Sequence, residues 1–391
     1  MATDTDGDLG FERIDWSSVE GRRSPVGVRT LVFVLGTLLL VSLYLYDRFY
    51  VAPGNALLLS WDTNALDWPF LFSLLAFGCY VLWPLAANPV RTGEYWRRLR
   101  TNPVALLAFA YLGAFFALGT LGPVVFGDPA ISLDAQHQPP AFLTGSNGLS
   151  DDCLGAVTGP TGNPVCHGTL EHPLGTDSLG RSMWLLVLSG MRVALQVTTI
   201  TSVLIVPIAV AVGTVAGSYG GRVDTVLMRY VDVQQTVPAL LVYLIGNFVY
   251  GRSILLFIVV FGLLNWGSVA RVVRSEVIQR RQEQYVTAAR NAGAGRLEVI
   301  RRHILPNVSS SVVTALTQQI PILILTEAAI SFLELNNVNR VSWGETIVNG
   351  LSRFPRAWWT VVVPVAVLCL TVVSFALVGD ALRDVLDPRN S

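Results

Sequence analysis

The sequence predicts an all-α polytopic membrane protein with about eight transmembrane helices. Three observations support this fold class: 52% of the 391 residues are hydrophobic, 14% are charged, and the mean hydropathy is +0.52. In soluble domains about a quarter of the residues are charged. A helix needs about 20 mostly apolar residues to cross a bilayer. Eight runs meet this requirement, near residues 29–46, 68–87, 103–126, 191–217, 227–250, 254–273, 312–333 and 358–379.

The N-terminal part divides into a polar tail and two apolar runs. We interpret residues 1–28 as a cytoplasmic tail and residues 29–90 as a transmembrane hairpin. Asp47 and Arg48 end the first run early, so a cleaved signal peptide is the alternative interpretation. No small-residue cleavage site follows closely, which favours a membrane helix.

The remaining chain divides at one long polar loop. Residues 97–126 contain the third apolar run, and residues 127–185 form a loop rich in Gly, Pro, Ser and Asn. Residues 186–391 contain the other five runs and a polar segment at about 283–307. We expect the loop to be external, because it lacks the arginine clusters that mark cytoplasmic segments.

Arginine clusters predict the orientation in the membrane. Short loops rich in arginine stay on the cytoplasmic side. Eight crossings with both termini cytoplasmic place every cluster on that side of the cell membrane. The clusters lie at residues 22–29, 91–100, 271–281 and 290–302.

The sequence contains no lysine, since every basic residue apart from the histidines is an arginine. A P-loop needs its lysine against the nucleotide phosphates. We therefore expect this chain not to hydrolyse ATP by that route. A membrane enzyme of another kind would need a nucleophile and a base, and no Ser–His or carboxylate pair stands out.

Cys153 and Cys166 both lie in the external loop, where oxidation is permitted. We predict a disulfide between them. A metal site is the alternative, because the same loop contains three of the four histidines, His137, His167 and His172. The spacings match no structural zinc pattern, so we predict no metal site.

The polar segment reads YVTAARNAGAGRLEVIRRHILPN over residues 285–307. Apolar residues recur at helical spacing on both sides of Gly293-Ala294-Gly295, which predicts two short amphipathic helices joined at a glycine elbow. A helix pair lying on anionic lipid would explain the arginines. A docking element for a partner protein would also explain the elbow and its small residues, so we favour docking.

This segment resembles the cytoplasmic coupling loop, often called the EAA loop, of permease subunits in bacterial and archaeal ABC importers. The version YVxAAR…G…RHILPN is similar to C-type subunits of the dipeptide, oligopeptide and nickel branch. The resemblance covers roughly residues 97–391. Further similar segments follow in the same order: HPLGTDSLGR at 172–181, GSYGGRVDTVLMRYVD at 217–232, EAAISFLEL at 327–335, SWG at 342–344 and GDALRDVLDPR at 379–389.

The resemblance implies a six-helix type I importer core behind an extra N-terminal hairpin. Such a permease pairs with a homologous permease subunit, two ABC ATPase subunits and an external solute-binding protein. The implied substrate is a short peptide, and ATP and Mg²⁺ would be bound by the ATPase subunits, with no cofactor in this chain and no nucleic acid as a partner. By position, the docking residues are Ala288, Ala289, Gly293, Leu305 and Pro306, with Arg290, Arg301 and Arg302 as a polar rim.

Two positions depart from the family pattern. The general loop begins with Glu where this chain has Thr287. The family often reads LSFLGLG where this chain has ISFLELNN, so Glu334 replaces a glycine at the outer end of a span.

Polar residues within spans are costly and tend to face a cavity. This nominates Asn265, Gln318, Gln319 and Glu327 as candidates for the translocation pathway. Hydrogen bonding between helices or subunits is the alternative for all four. The sequence also leaves open import of nickel or another small solute, and, as a different class, an ion-coupled secondary transporter.

Overall fold

A computed structural model of the chain describes residues 27–50, 64–146, 153–160, 164–336 and 341–386. The predicted cytoplasmic tail therefore lies almost wholly outside the described residues. Helices dominate what is described, which confirms the all-α fold class.

The N-terminal hairpin consists of α1 (Val28–Tyr50) and α2 (Asp67–Ala87). One π turn, Gly78–Leu82, interrupts the regular hydrogen bonding of α2. The two helices meet through aromatic rings, since Phe33 of α1 lies 5.7 Å from Phe72 and 5.3 Å from Tyr80, measured between ring centroids. The hairpin is thus held together by apolar and aromatic contacts.

A short amphipathic helix, α3 (Pro89–Arg100), connects the hairpin to α4 (Pro103–Phe126). Asn102 ends this connection by capping α4: its side-chain oxygen accepts a hydrogen bond from the Ala105 N–H at 3.1 Å. Pro103 occupies the first turn of α4, where a missing N–H costs nothing.

The rest of the membrane core follows the long segment after α4. Its helices are α5 (Met183–Tyr219), α6 (Gly221–Thr236), α7 (Ala239–Tyr250), α8 (Ile254–Leu264), α9 (Gly267–Arg281), α10 (Gln284–Asn291), α11 (Arg296–Phe332), α12 (Trp343–Leu351) and α13 (Trp359–Leu386). The long helix α5 is central and packs closely on α9. A β-carbon at Gly213 of α5 would lie 2.5 Å from the Ala270 carbonyl oxygen, so only glycine permits this approach.

Within the described residues, seven helical stretches are long and apolar enough to cross a membrane, when α8 and α9 (Ile254–Arg281) are counted together as one, and α7 is a shorter apolar helix. The predicted continuous span at 227–250 is wrong: the structure divides it into α6 and α7 at Val237 and Pro238. Proline lacks the N–H that a helix interior requires and forces the preceding residue into an extended conformation. The predicted span at 191–217 also begins too late, since α5 starts at Met183.

The span predicted at 254–273 is interrupted as well, between α8 and α9 at Asn265 and Trp266. Gln234, at the end of α6, donates a side-chain hydrogen bond to the Leu264 carbonyl at the end of α8. The two interruptions therefore lie side by side, and one buried glutamine amide bonds a carbonyl that the helix end leaves free.

The segment between α4 and α5, which the sequence predicts to be external, contains a small antiparallel sheet that the all-α prediction did not include. Its strands are β1 (Thr144–Ser146), β2 (Val157–Thr158) and β3 (Val165–His167), in the order β1–β3–β2. Cys153 and Cys166 form the predicted disulfide, so neither thiolate is offered to the alternative metal site. Strands of two or three residues are too short to show an alternating pattern.

Candidate functional site

The predicted coupling segment, residues 285–307, lies at one end of the core and comprises α10 and the first turns of α11. Its inner face is apolar: Val286 of α10 and Val299, Ile304 and Val308 of α11 are all buried and pack with Val277 of α9. Burial of each such side chain stabilises the attachment by about 1.5–3 kcal/mol. The segment is therefore fixed to the membrane helices rather than free.

The predicted glycine elbow is a Schellman turn that ends α10. The N–H of Ala294 donates to the Ala289 carbonyl at 3.0 Å, and the N–H of Gly293 donates to the Arg290 carbonyl at 2.9 Å. This pair of bonds requires the left-handed backbone, and Gly293 has a φ of +89°. A side chain there would be strained, although open space surrounds the position.

The second arm of the elbow joins the membrane helix through a π turn, Ile300–Ile304. Pro306 lies two residues after this turn and has no N–H to donate. The two arms also touch, because Asn307 Nδ2 donates to the Tyr285 hydroxyl at 3.3 Å and to the His303 carbonyl at 2.7 Å.

The outer face of the segment is open to solvent in this chain. Leu297 stands out, because 78% of its surface is exposed although it is a large aliphatic residue. In the sequence, Leu297 is one member of the apolar helical repeat that follows the glycine elbow. The structure shows that Val299 and Ile304 occupy the inner face of that helix, which leaves Leu297 exposed. The predicted docking residues Ala288, Arg290, Gly293, Arg301, Arg302 and Pro306 are exposed, and Ala289 and Leu305 are half-buried.

Charged contacts connect the segment to the neighbouring helices. The Arg296 guanidinium lies 4.6 Å from the ring centroid of Tyr219, at the end of α5. Arg302 and Glu298 form an exposed ion pair at 2.5 Å along α11. Exposed pairs contribute little to stability, about 0–1 kcal/mol, so these contacts orient the segment more than they hold it.

Helix α9 links the segment to α6 through two ion pairs. Arg274 binds the Asp224 carboxylate with two guanidinium nitrogens, and Arg271 Nη2 lies 2.7 Å from Asp232 Oδ1. The hydrogen bond from Arg274 lowers the pKa of Asp224. The carboxylate consequently remains ionised, and paired with Arg274, at neutral pH.

The four predicted pathway residues occupy different environments. Asn265 is half-buried at the α8–α9 interruption, Gln318 is exposed, and Gln319 is half-buried in the middle of α11. Glu327 is only 2% exposed, and its Oε1 accepts a hydrogen bond from the Ser331 hydroxyl at 2.7 Å. This hydrogen bond lies within α11, so it joins Glu327 to no other helix.

Gln234 is a polar residue of the core that the sequence reading did not single out. It is 6% exposed, and its Nε2 bonds the Leu264 carbonyl. The sequence QQTVP at 234–238 contains a local indication of this role, because two side-chain amides precede a proline that ends the helix.

The C-terminal end of α11 contains Glu334, one of the two departures from the family pattern. Glu334 has a φ of +57°, the left-handed conformation that glycine adopts most easily. The Leu335 N–H donates to the Ile330 carbonyl at 3.1 Å, which closes another Schellman turn. Glu334 therefore closes α11 with a left-handed turn, the conformation that glycine adopts without strain.

Comparisons with known proteins agree with this architecture. Residues 209–391 match the family described as binding-protein-dependent transport system inner membrane component, and residues 91–140 match the N-terminal TM domain of oligopeptide transport permease C. The dipeptide transport system permease protein DppC of Bacillus subtilis (strain 168) is 30% identical over 302 residues, which are 76% of this chain and 86% of the relative. The chain belongs to the family of binding-protein-dependent transport system inner membrane components.

Two oligopeptide transport system permease proteins are also similar to this permease. OppC of Bacillus subtilis (strain 168) is 33% identical over 220 residues, 56% of this chain and 72% of the relative. OppC of Escherichia coli (strain K12) is 32% identical over 220 residues, 56% of this chain and 73% of the relative.

Family membership identifies the chain as a multi-pass membrane permease, a transport subunit and not an ATPase. Members act in a transporter complex with another permease, an ATPase and a binding protein. The predicted coupling and pathway residues lie inside the matched segment 209–391, whereas α1 and α2 lie outside both matched segments.

Proposed function

We propose that this permease is the transmembrane subunit of an ATP-driven importer for short peptides. The observation that carries the proposal is the similarity to DppC over 86% of that protein's length. The dipeptide and oligopeptide permeases named above share the substrate class, and this chain contributes part of the translocation pathway in the same way.

The outer face of the coupling segment is the surface that receives an ATPase subunit. Its exposed Ala288 and Gly293 leave room for close approach, and Leu297 offers an apolar side chain to a pocket on the partner. Arg290, Arg301 and Arg302 form a basic rim. The segment's apolar attachment to α9 and α11 then passes the movement of the ATPase to the membrane helices.

The remaining partners follow from this role. Two ATPase subunits bind ATP and Mg²⁺, a homologous permease completes the pathway, and an external binding protein delivers the peptide. Asn265, Gln318, Gln319 and Glu327 remain our candidates for polar groups near the pathway.

Both termini lie on the cytoplasmic side in this proposal. Counting α6 and α7 as one crossing gives eight crossings, so the two ends share a side. The arginines of α3 and of the coupling segment then face the cytoplasm, as short basic loops do. The disulfide-linked sheet faces the oxidising exterior.

Uptake by the purified complex in proteoliposomes tests the proposal. We expect saturable import of a labelled dipeptide or oligopeptide that requires ATP and the binding protein and that persists when an ionophore collapses ion gradients. A matched complex without the binding protein is the control. Import that needs no ATP and stops with the ionophore would contradict the proposal in favour of a secondary transporter, and import of nickel without peptide would contradict the substrate class.

A further inference from the structure

An ion pair is buried where the N-terminal hairpin meets the core. Arg192 of α5 is 2% exposed and Asp67, the first residue of α2, is 0% exposed. Arg192 Nη2 donates to Asp67 Oδ1 at 2.8 Å. Both residues belong to helices that are long and apolar enough to cross the membrane. A charged group in this environment is costly unless it is paired.

The pair is completed by four further contacts. Gln196 Nε2 donates to Asp67 Oδ1 at 2.9 Å, and the Asn64 N–H donates to Oδ2 at 3.0 Å. Arg192 Nη1 donates to the Thr120 carbonyl of α4 at 2.8 Å, and the Arg192 guanidinium lies 4.7 Å from the Phe70 ring centroid. One guanidinium therefore joins α2, α4 and α5.

These contacts form matching stripes on two helices. On α2 the stripe is Asp67, Phe70 and Ser73, spaced three residues apart and buried. On α5 it is Arg192, Gln196 and Thr199, spaced four and three apart, and Ser73 Oγ donates to Thr199 Oγ1 at 2.9 Å. Residues at these spacings share one helix face. The polar faces of α2 and α5 therefore contact each other over about two helical turns.

Polar contacts of this kind decide which helices associate inside a bilayer. Apolar side chains pack about equally well against lipid and against protein, so they give a helix little preference for one neighbouring helix over another. The first hairpin helix illustrates this: none of the residues of α1 is buried. The hairpin is consequently attached to the core through α2, at the stripe that contains the charge.

We propose that Arg192, Gln196 and Thr199, with the Thr120 carbonyl, form a docking site on the permease core for a membrane helix that carries a carboxylate, and that α2 is its occupant. Asp67 supplies the counter-charge that keeps Arg192 in the apolar region. The hairpin, which lies outside both family-matched segments, is then an obligatory assembly element of this permease and not part of the transport pathway.

A double-mutant cycle in the full chain tests this assignment. The variants are Asp67→Leu, Arg192→Leu and the double variant, with Glu94→Leu on the exposed part of α3 as a control for losing a carboxylate. The readouts are the amount of monodisperse transporter complex extracted from membranes and the peptide uptake per assembled complex.

Each single variant leaves one buried charge unpaired, so we expect the amount of complex to fall about tenfold or more. The double variant removes both charges and restores the amount, with uptake per complex unchanged, and Glu94→Leu behaves like the parent. Single variants that assemble normally, or a double variant as deficient as either single one, would overturn the docking site. Normal assembly with an altered KM for peptide would overturn it by making Arg192 a substrate-contacting group.

Discussion

Two helix ends in this permease have the same backbone geometry but different surroundings. At the end of α10, Gly293 has a φ of +89°, and at the C-terminal end of α11, Glu334 has a φ of +57°. Both turns are closed by the same pair of backbone hydrogen bonds. One turn belongs to the coupling segment, and the other lies at the opposite end of a membrane helix.

The difference lies in what holds each turn. The Leu335 carbonyl, directly after Glu334, accepts hydrogen bonds from the Tyr243 hydroxyl at 2.9 Å and from Asn247 Nδ2 at 2.7 Å. Around Gly293, by contrast, a β-carbon would meet no other atom within 4 Å. A turn that is fixed by contacts tolerates a strained residue, whereas a turn that must stay open to a partner depends on glycine.

Replacing Gly293 by valine would break the open turn and have the largest effect. A β-branched residue is strongly disfavoured in the left-handed region, at a cost of about 1–2 kcal/mol or more. We expect ATP-driven peptide uptake to fall to background while the amount of permease in the membrane is unchanged.

The matched control is Gly295→Val. Gly295 has a φ of −66° and is also surrounded by open space, so the variant should keep most of the uptake. Equal loss at both positions would show that the turn conformation is not what matters.

Removing the apolar side chain beside the open turn tests whether the exposed face is an interface. Leu297→Asp should weaken binding of the ATPase subunit by about tenfold or more, because anchors of this kind contribute about 2 kcal/mol. The thermal stability of the permease should not change, since Leu297 is largely exposed. Leu297→Met keeps the apolar volume and should bind normally; if both variants bind alike, the anchor is misassigned.

Weakening the hydrogen bonds that hold the Glu334 turn should have a moderate effect on stability. Tyr243→Phe removes one of the two donors to the Leu335 carbonyl, and we expect unfolding to become easier by about 1 kcal/mol. Thermal denaturation of the purified complex measures this change. An unaltered melting temperature would indicate that the Asn247 bond alone holds the turn.

Relieving the strain at the outer turn should have the smallest effect. Glu334→Gly replaces a left-handed glutamate by the residue that adopts this conformation freely, and the gain is partly offset by the entropy of the unfolded glycine chain. We expect a stabilisation of about 0.5–1 kcal/mol, seen as a higher melting temperature with unchanged uptake. A lower melting temperature would mean that the Glu334 side chain stabilises the turn.

Much of the fold follows from local patterns in the sequence. Apolar runs locate most of the membrane helices, and the elbow at Gly293 follows from the interrupted helical repeat. The disulfide follows from two cysteines in one loop that the sequence predicts to be external. Pro238 was sufficient reason to expect the break between α6 and α7, but the continuous hydrophobicity around it concealed the break.

Other features depend on contacts between distant parts of the chain. Asp67 and Arg192 are 125 residues apart, and no local pattern indicates that one compensates the other. Asp67 directly precedes a predicted apolar run, where it reads as part of a loop. The exposure of Leu297 likewise depends on which face of α11 packs on α9, and a helical repeat alone does not determine that face.

Co-purification in mild detergent tests the central claim most directly. The tagged permease is isolated from its own cells, and the proteins bound to it are quantified for the parent, for Gly293→Val and for Gly295→Val. The account predicts two ATPase subunits and a second permease with the parent and with Gly295→Val, and loss of the ATPases alone with Gly293→Val. Recovery of equal amounts of ATPase with all three forms would contradict the assignment of this turn as the coupling surface.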